Sequence, residues 1–191
     1  AEKLNENYHL EVTGIPIMFK RLDDSIIRSQ VYSLVIAMAL VILLISLIQG
    51  SVIRGLLSVI PIGVTLLVLF GTMGNTGIPL DIATVLTGSV TIGIGIDYAI
   101  HFMTHFSAIY RRGKDMEASI RDSMAHSGRG ILINMLAVTI GFSVLLASNL
   151  VPLQRFGLLI AVTMVVSSLA TLTLLPLVLM MGEKFFGKSF G

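Results

Sequence analysis

Five long apolar runs dominate the sequence and restrict the folds that are open to it. A run of about 18 or more apolar residues is long enough to cross the hydrocarbon core of a bilayer as a helix. We therefore predict an all-α membrane protein built as a bundle of five transmembrane helices. The runs cover residues 31–48, 52–70, 82–106, 131–147 and 156–181.

The composition excludes several other classes of protein. Charged residues make up only 13% of the chain, whereas soluble domains carry about a quarter. The net charge is +2, and no dense basic run is interleaved with aromatic residues, which argues against nucleic-acid binding. The chain has no Cys, so disulfides, thiolate metal sites and Cys nucleophiles are excluded.

We predict three regions along the chain. A five-span transmembrane domain covers residues 25–182, and a cytoplasmic tail covers 183–191. Residues 1–24 are predicted to be the end of an extracytoplasmic α/β domain and its lead-in helix, because residues 8–13 alternate like a strand and one strand cannot bury a core. We therefore expect the chain to be part of a longer protein. The predicted spans lie at about 25–49, 52–72, 80–110, 129–148 and 153–181.

The basic residues predict the orientation of the bundle. After the first span, the turns at residues 71–81 and 148–155 lie on one side of the membrane and carry only Arg155. Cytoplasmic turns are the ones enriched in Lys and Arg. We therefore expect an extracytoplasmic N-terminus and a cytoplasmic C-terminus. The other side collects Arg54, Arg111, Arg112, Lys114, Arg121, Arg129, Lys184 and Lys188.

A connector at residues 114–126 precedes the fourth span. Met116, Ile120 and Met124 recur every four residues and form one apolar face. This pattern predicts a short amphipathic helix on the cytoplasmic membrane surface, or equally a helix packed against the ends of its neighbours.

The third span contains the most informative residues. Asp97, His101 and His105 are spaced by four and share one helix face. Two stripes of small residues accompany them, one ending at Gly95 and one at Gly93, and such stripes let helices approach closely. We therefore expect the polar face to point into the bundle.

Three interpretations of Asp97 remain open. A carboxyl group in a low-dielectric medium can bind and release protons near physiological pH, which favours proton or ion coupling, shared or tuned by His101. The spacing of Asp97, His101 and His105 also suits a metal site. In the third interpretation the carboxyl only bonds a neighbouring helix. We favour coupling and expect neither a metal nor another cofactor.

Polar residues of the last two spans are weaker candidates. They either hydrogen-bond Asp97 across a helix interface or make ordinary interhelical bonds. Pro61 is expected to kink the second span. The candidate supporting residues are Asn134, Thr139 and Ser143 on the fourth span and Thr163, Ser167 and Thr171 on the fifth.

Gly93-x-x-x-Asp97-Tyr98 within a membrane helix resembles the motif of the RND superfamily, in its MMPL and hydrophobe/amphiphile-exporter branch. The order of the parts agrees over nearly the whole chain, with a Ser-Gly-Arg-Gly segment at 127–130 and Leu175-Pro176 in the last span. Such transporters have two homologous halves, each with five consecutive spans after a porter domain. The five-span unit is also similar to sterol-sensing domains.

The resemblance implies a function and a set of partners. It implies proton-driven export of hydrophobic or amphiphilic molecules or lipids across a prokaryotic inner membrane, with Asp97 and Tyr98 as a proton relay. The implied partners are the lipid bilayer, the substrate, the other half of the transporter and its porter domains. The alternatives are a lipid- or sterol-sensing module without transport and a Sec-type accessory translocase. An intramembrane hydrolase is disfavoured, because no Ser or second carboxylate stands in a plausible dyad with Asp97, so we do not expect an enzyme.

Overall fold

Helices form all the regular structure in the described part of the chain. A computed structural model describes the backbone of residues 15–113 and 115–186, and the side chains of 28–81, 84–113 and 115–184. The predicted strand at residues 8–13 lies outside this part. The helices are α1 (Ile15–Gln49), α2 (Val52–Ser58), α3 (Ile60–Thr76), α4 (Ile82–Tyr110), α5 (Met116–Ser143) and α6 (Val151–Phe186), with a short 3-10 helix at Val144–Ala147.

The described helices form five segments that are long and apolar enough to cross a membrane. They are α1, α2 with α3, α4, α5 with the 3-10 helix, and α6. This arrangement confirms the predicted all-α membrane fold. The second segment is interrupted where the sequence predicts a kink, because α2 ends at Ser58 and Pro61 lies in the first turn of α3. A first helical turn accepts proline, since its N–H groups have no partner within the helix.

The start of α4 is defined by hydrogen bonds around Asp81. The Thr84 N–H donates to Asp81 Oδ1 at 2.9 Å, and the Asp81 N–H donates to Thr84 Oγ1 at 2.7 Å. This reciprocal capping satisfies N–H groups that a helix start leaves without partners. Arg155 Nη1 of α6 lies 3.8 Å from Asp81 Oδ2, so the same carboxylate also ties α4 to α6.

The predicted connector at 114–126 is not a separate helix. Residues 116–143 form one continuous helix, so the connector becomes the first half of α5. Met116 and Ile120 are buried in the main core, as the packed alternative requires, rather than lying on a membrane surface. The small residues Ser119, Ser123 and Ser127 on the buried side allow this half of α5 to pack closely.

The bundle is organised around α6, which packs against α3, α4 and α5. In the apolar 18-residue stretch of α6, 56% of the residues are buried within the chain. The corresponding stretches of α1 and α5 are only 11% buried. The main core lies between α4, α5 and α6 and includes Phe102, Phe106 and Leu175. A second cluster joins α1, α3 and α4 through Ile45, Ile62 and Ile92. Helix α4 therefore packs against α1, α3, α5 and α6.

Candidate functional site

One face of α4 is buried inside the bundle, and we call it the inner face. It consists of Thr87, Thr91, Gly95 and Tyr98, and all four are buried. The Thr91 hydroxyl donates to Thr163 Oγ1 of α6 at 3.3 Å. A Cβ placed on Gly95 would lie 3.0 Å from Ser167 Oγ, so the missing side chain is what admits α6. The inner face is therefore a helix-packing surface within the chain.

The opposite side of α4 is exposed on the surface of the bundle, and we call it the outer face. It consists of Ser89, Gly93, Asp97 and His101. A Cβ placed on Gly93 would meet nothing within 4 Å. The expectation that the Asp97 face points into this bundle was therefore wrong. Helix α6 occupies the other small-residue stripe, and a helix turns by about 100° per residue, so Asp97 is rotated outward when Gly95 and Tyr98 face inward.

Asp97 and His101 form a pair on the outer face. His101 Nε2 lies 3.5 Å from Asp97 Oδ1, and the side chains are 65% and 51% exposed, respectively. The two residues are separated by four positions, so one helix turn brings them together. The predicted association of Asp97 with His101 is thus present in the geometry.

Tyr98 lies beside this pair but is fully buried. Its hydroxyl is directed at Met164 Sδ of α6, at 4.0 Å. The ring also lines a cavity of about 250 Å³ between α4 and α5, which His101 and Asn134 line as well. Tyr98 therefore links the outer side of α4 to the packed interior.

The cavity also contains a histidine that sequence reasoning missed. His105 of α4 stacks on His126 of α5, with ring centroids 5.8 Å apart and planes inclined by 25°. A signal for His126 is present in the sequence, because His126, Gly130 and Asn134 recur every four residues on α5. All three of these α5 residues line the cavity.

The other predicted supporting residues are distributed differently. Asn134 reaches the cavity, whereas Ser143 Oγ donates to the Thr139 carbonyl oxygen of its own helix at 2.7 Å. Thr163 bonds across to Thr91, which is the interhelical role that the sequence also allowed. Ser167 and Thr171 are buried on α6.

A second polar cluster joins α1, α2 and α4. It lies at the end of the bundle that carries Arg111 and Arg112, which we call the basic end. The Arg54 side chain is buried, and its Nη1 donates to Ser107 Oγ at 3.4 Å. Ser107 Oγ in turn donates to Gln49 Oε1, and Arg111 Nη2 donates to the Gln49 carbonyl oxygen at 2.9 Å. Sequence reasoning used Arg54 only as one of the basic residues that predict the orientation of the bundle. The cluster anchors the α1–α2 hairpin to α4.

In the part of the chain whose side chains are described, no group of three His, Asp or Glu residues is arranged to hold a metal ion. What the geometry does contain is a carboxylate paired with an imidazole on a helix long and apolar enough to cross a membrane. Carboxylates in membrane helices typically mark ion or substrate pathways. Fold and site together define an integral membrane protein with a titratable group inside its membrane domain.

Comparison with protein families places the chain within this class. The model of the MMPL family matches residues 1–189, and the chain belongs to that family. This match agrees with the resemblance carried by the Gly93 to Tyr98 motif.

Three relatives illustrate the range of similar proteins. Membrane protein MJ1562 of Methanocaldococcus jannaschii is 26% identical over 90% of this chain and 44% of its own length. Membrane protein YdfJ of Bacillus subtilis is 31% identical over 70% of this chain and 18% of its own length. The sulfolipid-1 exporter MmpL8 of Mycobacterium tuberculosis is 27% identical over 78% of this chain and 14% of its own length. The chain thus spans less than half the length of these relatives.

Proposed function

We propose that this chain forms the membrane domain of one half of an exporter of lipids or other hydrophobic and amphiphilic molecules, and that proton transfer at Asp97 drives it. One observation carries the proposal. The Asp97 carboxylate lies on the outer face of α4, paired with His101 at 3.5 Å. At 1.5 Å per residue this position is about 20 Å from either end of α4.

The depth of Asp97 argues that protein covers the outer face in the working molecule. A charged side chain near the centre of a bilayer costs about 2.5–3.5 kcal/mol on insertion scales. Asp97 is half exposed on the bundle surface, so lipid contact would impose that cost. Ser89 and Gly93 leave room for another helix to approach closely. We propose that the homologous half of the transporter occupies this place.

The neighbours of Asp97 connect its charge state to the packing of the helices. Asp97 would alternate between a charged and a neutral state, and each state would favour a different arrangement of helices. Tyr98 follows directly in sequence and contacts Met164 of α6. We propose that Tyr98 transmits the change to the interior while His101 shares the proton of Asp97. Asn134, Thr139 and Ser143 of α5 are the proposed supporting residues.

Relatives and charge suggest the substrate class and the orientation. The relative MmpL8 is named as a sulfolipid-1 exporter, which supports a lipid substrate for this chain. We propose that the end of the bundle with Arg111 and Arg112 is cytoplasmic, because basic residues accumulate in cytoplasmic turns. The N-terminus would then be extracytoplasmic, next to porter domains that select the substrate.

The test is the substitution Asp97→Asn in the complete transporter, expressed in cells that lack their own copy of the gene. Asn keeps the size and hydrogen bonding of the side chain but removes the titratable proton. We expect export to fall to the level of cells without the gene, with normal expression and membrane insertion. Lipids extracted from the cell surface are compared by mass spectrometry with lipids retained inside, before and after an uncoupler collapses the proton gradient.

Glu117→Gln is the matched control, because it also replaces a carboxylate by an amide. Glu117 is exposed on α5 and pairs with Arg121 at 3.1 Å, away from the outer face of α4. We expect this variant to export normally. Full export by Asp97→Asn would contradict the proton relay at Asp97. Lost export together with lost protein would indicate that Asp97 acts only in folding.

A further inference from the structure

Three of the four histidines in the chain gather around one cavity. His101 and His105 come from α4, and His126 comes from α5. The cavity holds about 250 Å³, which is room for several water molecules at about 30 Å³ each. This concentration of imidazoles next to a membrane carboxylate is not explained by packing, because all three histidine side chains are exposed.

The imidazoles follow one another from Asp97 toward the basic end of the bundle. His101 is in contact with Asp97 at 3.5 Å, and His105 lies one helix turn further along α4. His105 stacks on His126, with ring centroids 5.8 Å apart. A line of titratable groups thus runs from the middle of α4 to the surface of α5.

The last member of this line is oriented for proton exchange. His126 Nδ1 lies 3.1 Å from the Asp122 carbonyl oxygen. A carbonyl oxygen can only accept a hydrogen bond, so Nδ1 carries a proton in this arrangement. The other ring nitrogen, Nε2, is then the atom that gains or loses a proton. His126 is exposed on the surface of α5 rather than enclosed by the bundle.

Few other titratable side chains line the cavity. Among the described residues, α4 and α5 alone line it, and the titratable groups in the lining are Tyr98 and the three histidines. Asp97 stands beside the cavity through its contact with His101. A proton leaving Asp97 toward the basic end therefore meets the imidazoles before any other described side chain that titrates near neutral pH.

We propose that His101, His105 and His126 form the path by which protons pass between Asp97 and the aqueous phase at the basic end. The inference rests on the proposed function of Asp97. The Asp97 carboxyl gives its proton to His101 Nε2, and the proton moves through cavity water to His105 and His126 and then to bulk water. Each imidazole gains one proton and loses one, so the path is unchanged after each passage and needs no other reactant.

Dicyclohexylcarbodiimide tests this path without knowledge of the transported molecule. The reagent is hydrophobic and modifies carboxyl groups only when they are protonated. Inverted membrane vesicles carrying the complete transporter present the basic end to the bath under the proposed orientation. The lumen is buffered at one pH, the bath pH is varied, and mass spectrometry measures the modified fraction of Asp97. In the unsubstituted protein we expect this fraction to fall as the bath pH rises.

The variants are His101→Gln alone and the double substitution His105→Gln with His126→Gln. We expect Asp97 modification in both to lose its dependence on bath pH, because Gln cannot carry a proton. The histidines are exposed, so these changes leave the core intact. Met124→Gln, on the same stretch of α5 but outside the cavity lining, is the control and should keep the dependence.

The outcomes separate the histidine path from the function on which it rests. Asp97 modification that follows bath pH in both histidine variants would overturn the path while leaving Asp97 as a titrating group. Modification that stays constant in the unsubstituted protein while the bath pH is varied would overturn the path as well, since the proton would reach Asp97 from the other end. If Asp97 is never modified, it does not titrate, and the proposed function and the path both fail.

Discussion

The two faces of α4 carry similar residues and meet different surroundings. Both faces have small or hydroxyl-bearing residues at four-residue spacing, ending at Gly95 on the inner face and at Gly93 on the outer face. Helix α6 packs directly on the inner stripe. The contact is so close that a Cβ on Gly95 would lie 3.0 Å from Ser167 Oγ. The outer stripe is open, and a Cβ on Gly93 would meet nothing within 4 Å.

This difference separates two uses of the same pattern. Small residues lower the distance at which helices can pack, whichever helix fills the space. On the inner face that helix belongs to the chain, so the stripe contributes to folding. The outer face offers the same geometry beside the Asp97 carboxylate, with its surface exposed. We interpret the outer stripe as an interface for assembly, and substitutions at matched positions can test this interpretation.

The largest effect on stability is expected for Gly95→Leu. The new side chain would collide with Ser167 and with Ile62 of α3, whose Cγ1 would lie 3.6 Å from the added Cβ. Overpacking of this kind typically costs about 1–3 kcal/mol. Thermal unfolding of the purified chain in detergent micelles, followed by circular dichroism, measures the change. An unchanged melting temperature would contradict the tight contact between α4 and α6.

Gly93→Leu is the matched substitution on the outer face, and its effect should appear only in the assembled transporter. In the purified chain we expect a melting temperature that is unchanged or slightly raised, because Gly in a helix interior costs about 0.5–1 kcal/mol relative to Ala. In cells we expect lipid export to be lost, because the new side chain keeps the other half at a distance. Normal export by Gly93→Leu would show that no helix packs closely on this stripe.

The smallest effect is expected for Thr91→Val on the inner face. Valine keeps the shape of threonine but removes the bond to Thr163, and interhelical bonds in membranes average about 0.6 kcal/mol. We expect a small decrease in melting temperature in the same detergent assay. Ser89→Ala on the outer face, which is exposed, is the control and should cause no decrease. Equal decreases in both variants would remove the distinction between the two faces.

Apolar run length was enough to predict the helical fold, since a helix needs roughly 17–25 apolar residues to cross a bilayer and each of the five runs is at least that long. The break before Pro61 was also predictable, because proline has no N–H to donate and its ring clashes with the preceding turn of a helix. Periodicity did not reveal that the connector continues into α5. The segment from Ser127 to Gly130 has the composition of a loop, but packing against α4 and α6 keeps it helical.

The pairing of Asp97 with His101 was predictable, and the direction in which the pair points was not. The rarity of carboxylates in membrane helices singled out Asp97, and four-residue spacing paired it with His101. Two small-residue stripes were present, and sequence alone does not say which of them α6 occupies. His126 was missed because its partner His105 lies on another helix, and spacing along a chain carries no information about contacts between helices.

The shallow burial of α1 has a consequence for how the protein responds to its membrane. Its apolar segment, Arg28–Gln49, is about 33 Å long at 1.5 Å per residue, which matches a hydrocarbon core of about 30 Å. The segment of α6, Val151–Lys184, is about 51 Å long and must tilt or project. Because little of this segment is buried within the chain, we expect a thicker or thinner bilayer to shift the height of α1 before it disturbs the core. We expect such a shift to strain first the hydrogen bond that Arg111 donates to the Gln49 carbonyl oxygen, because this bond ties the end of α1 to α4.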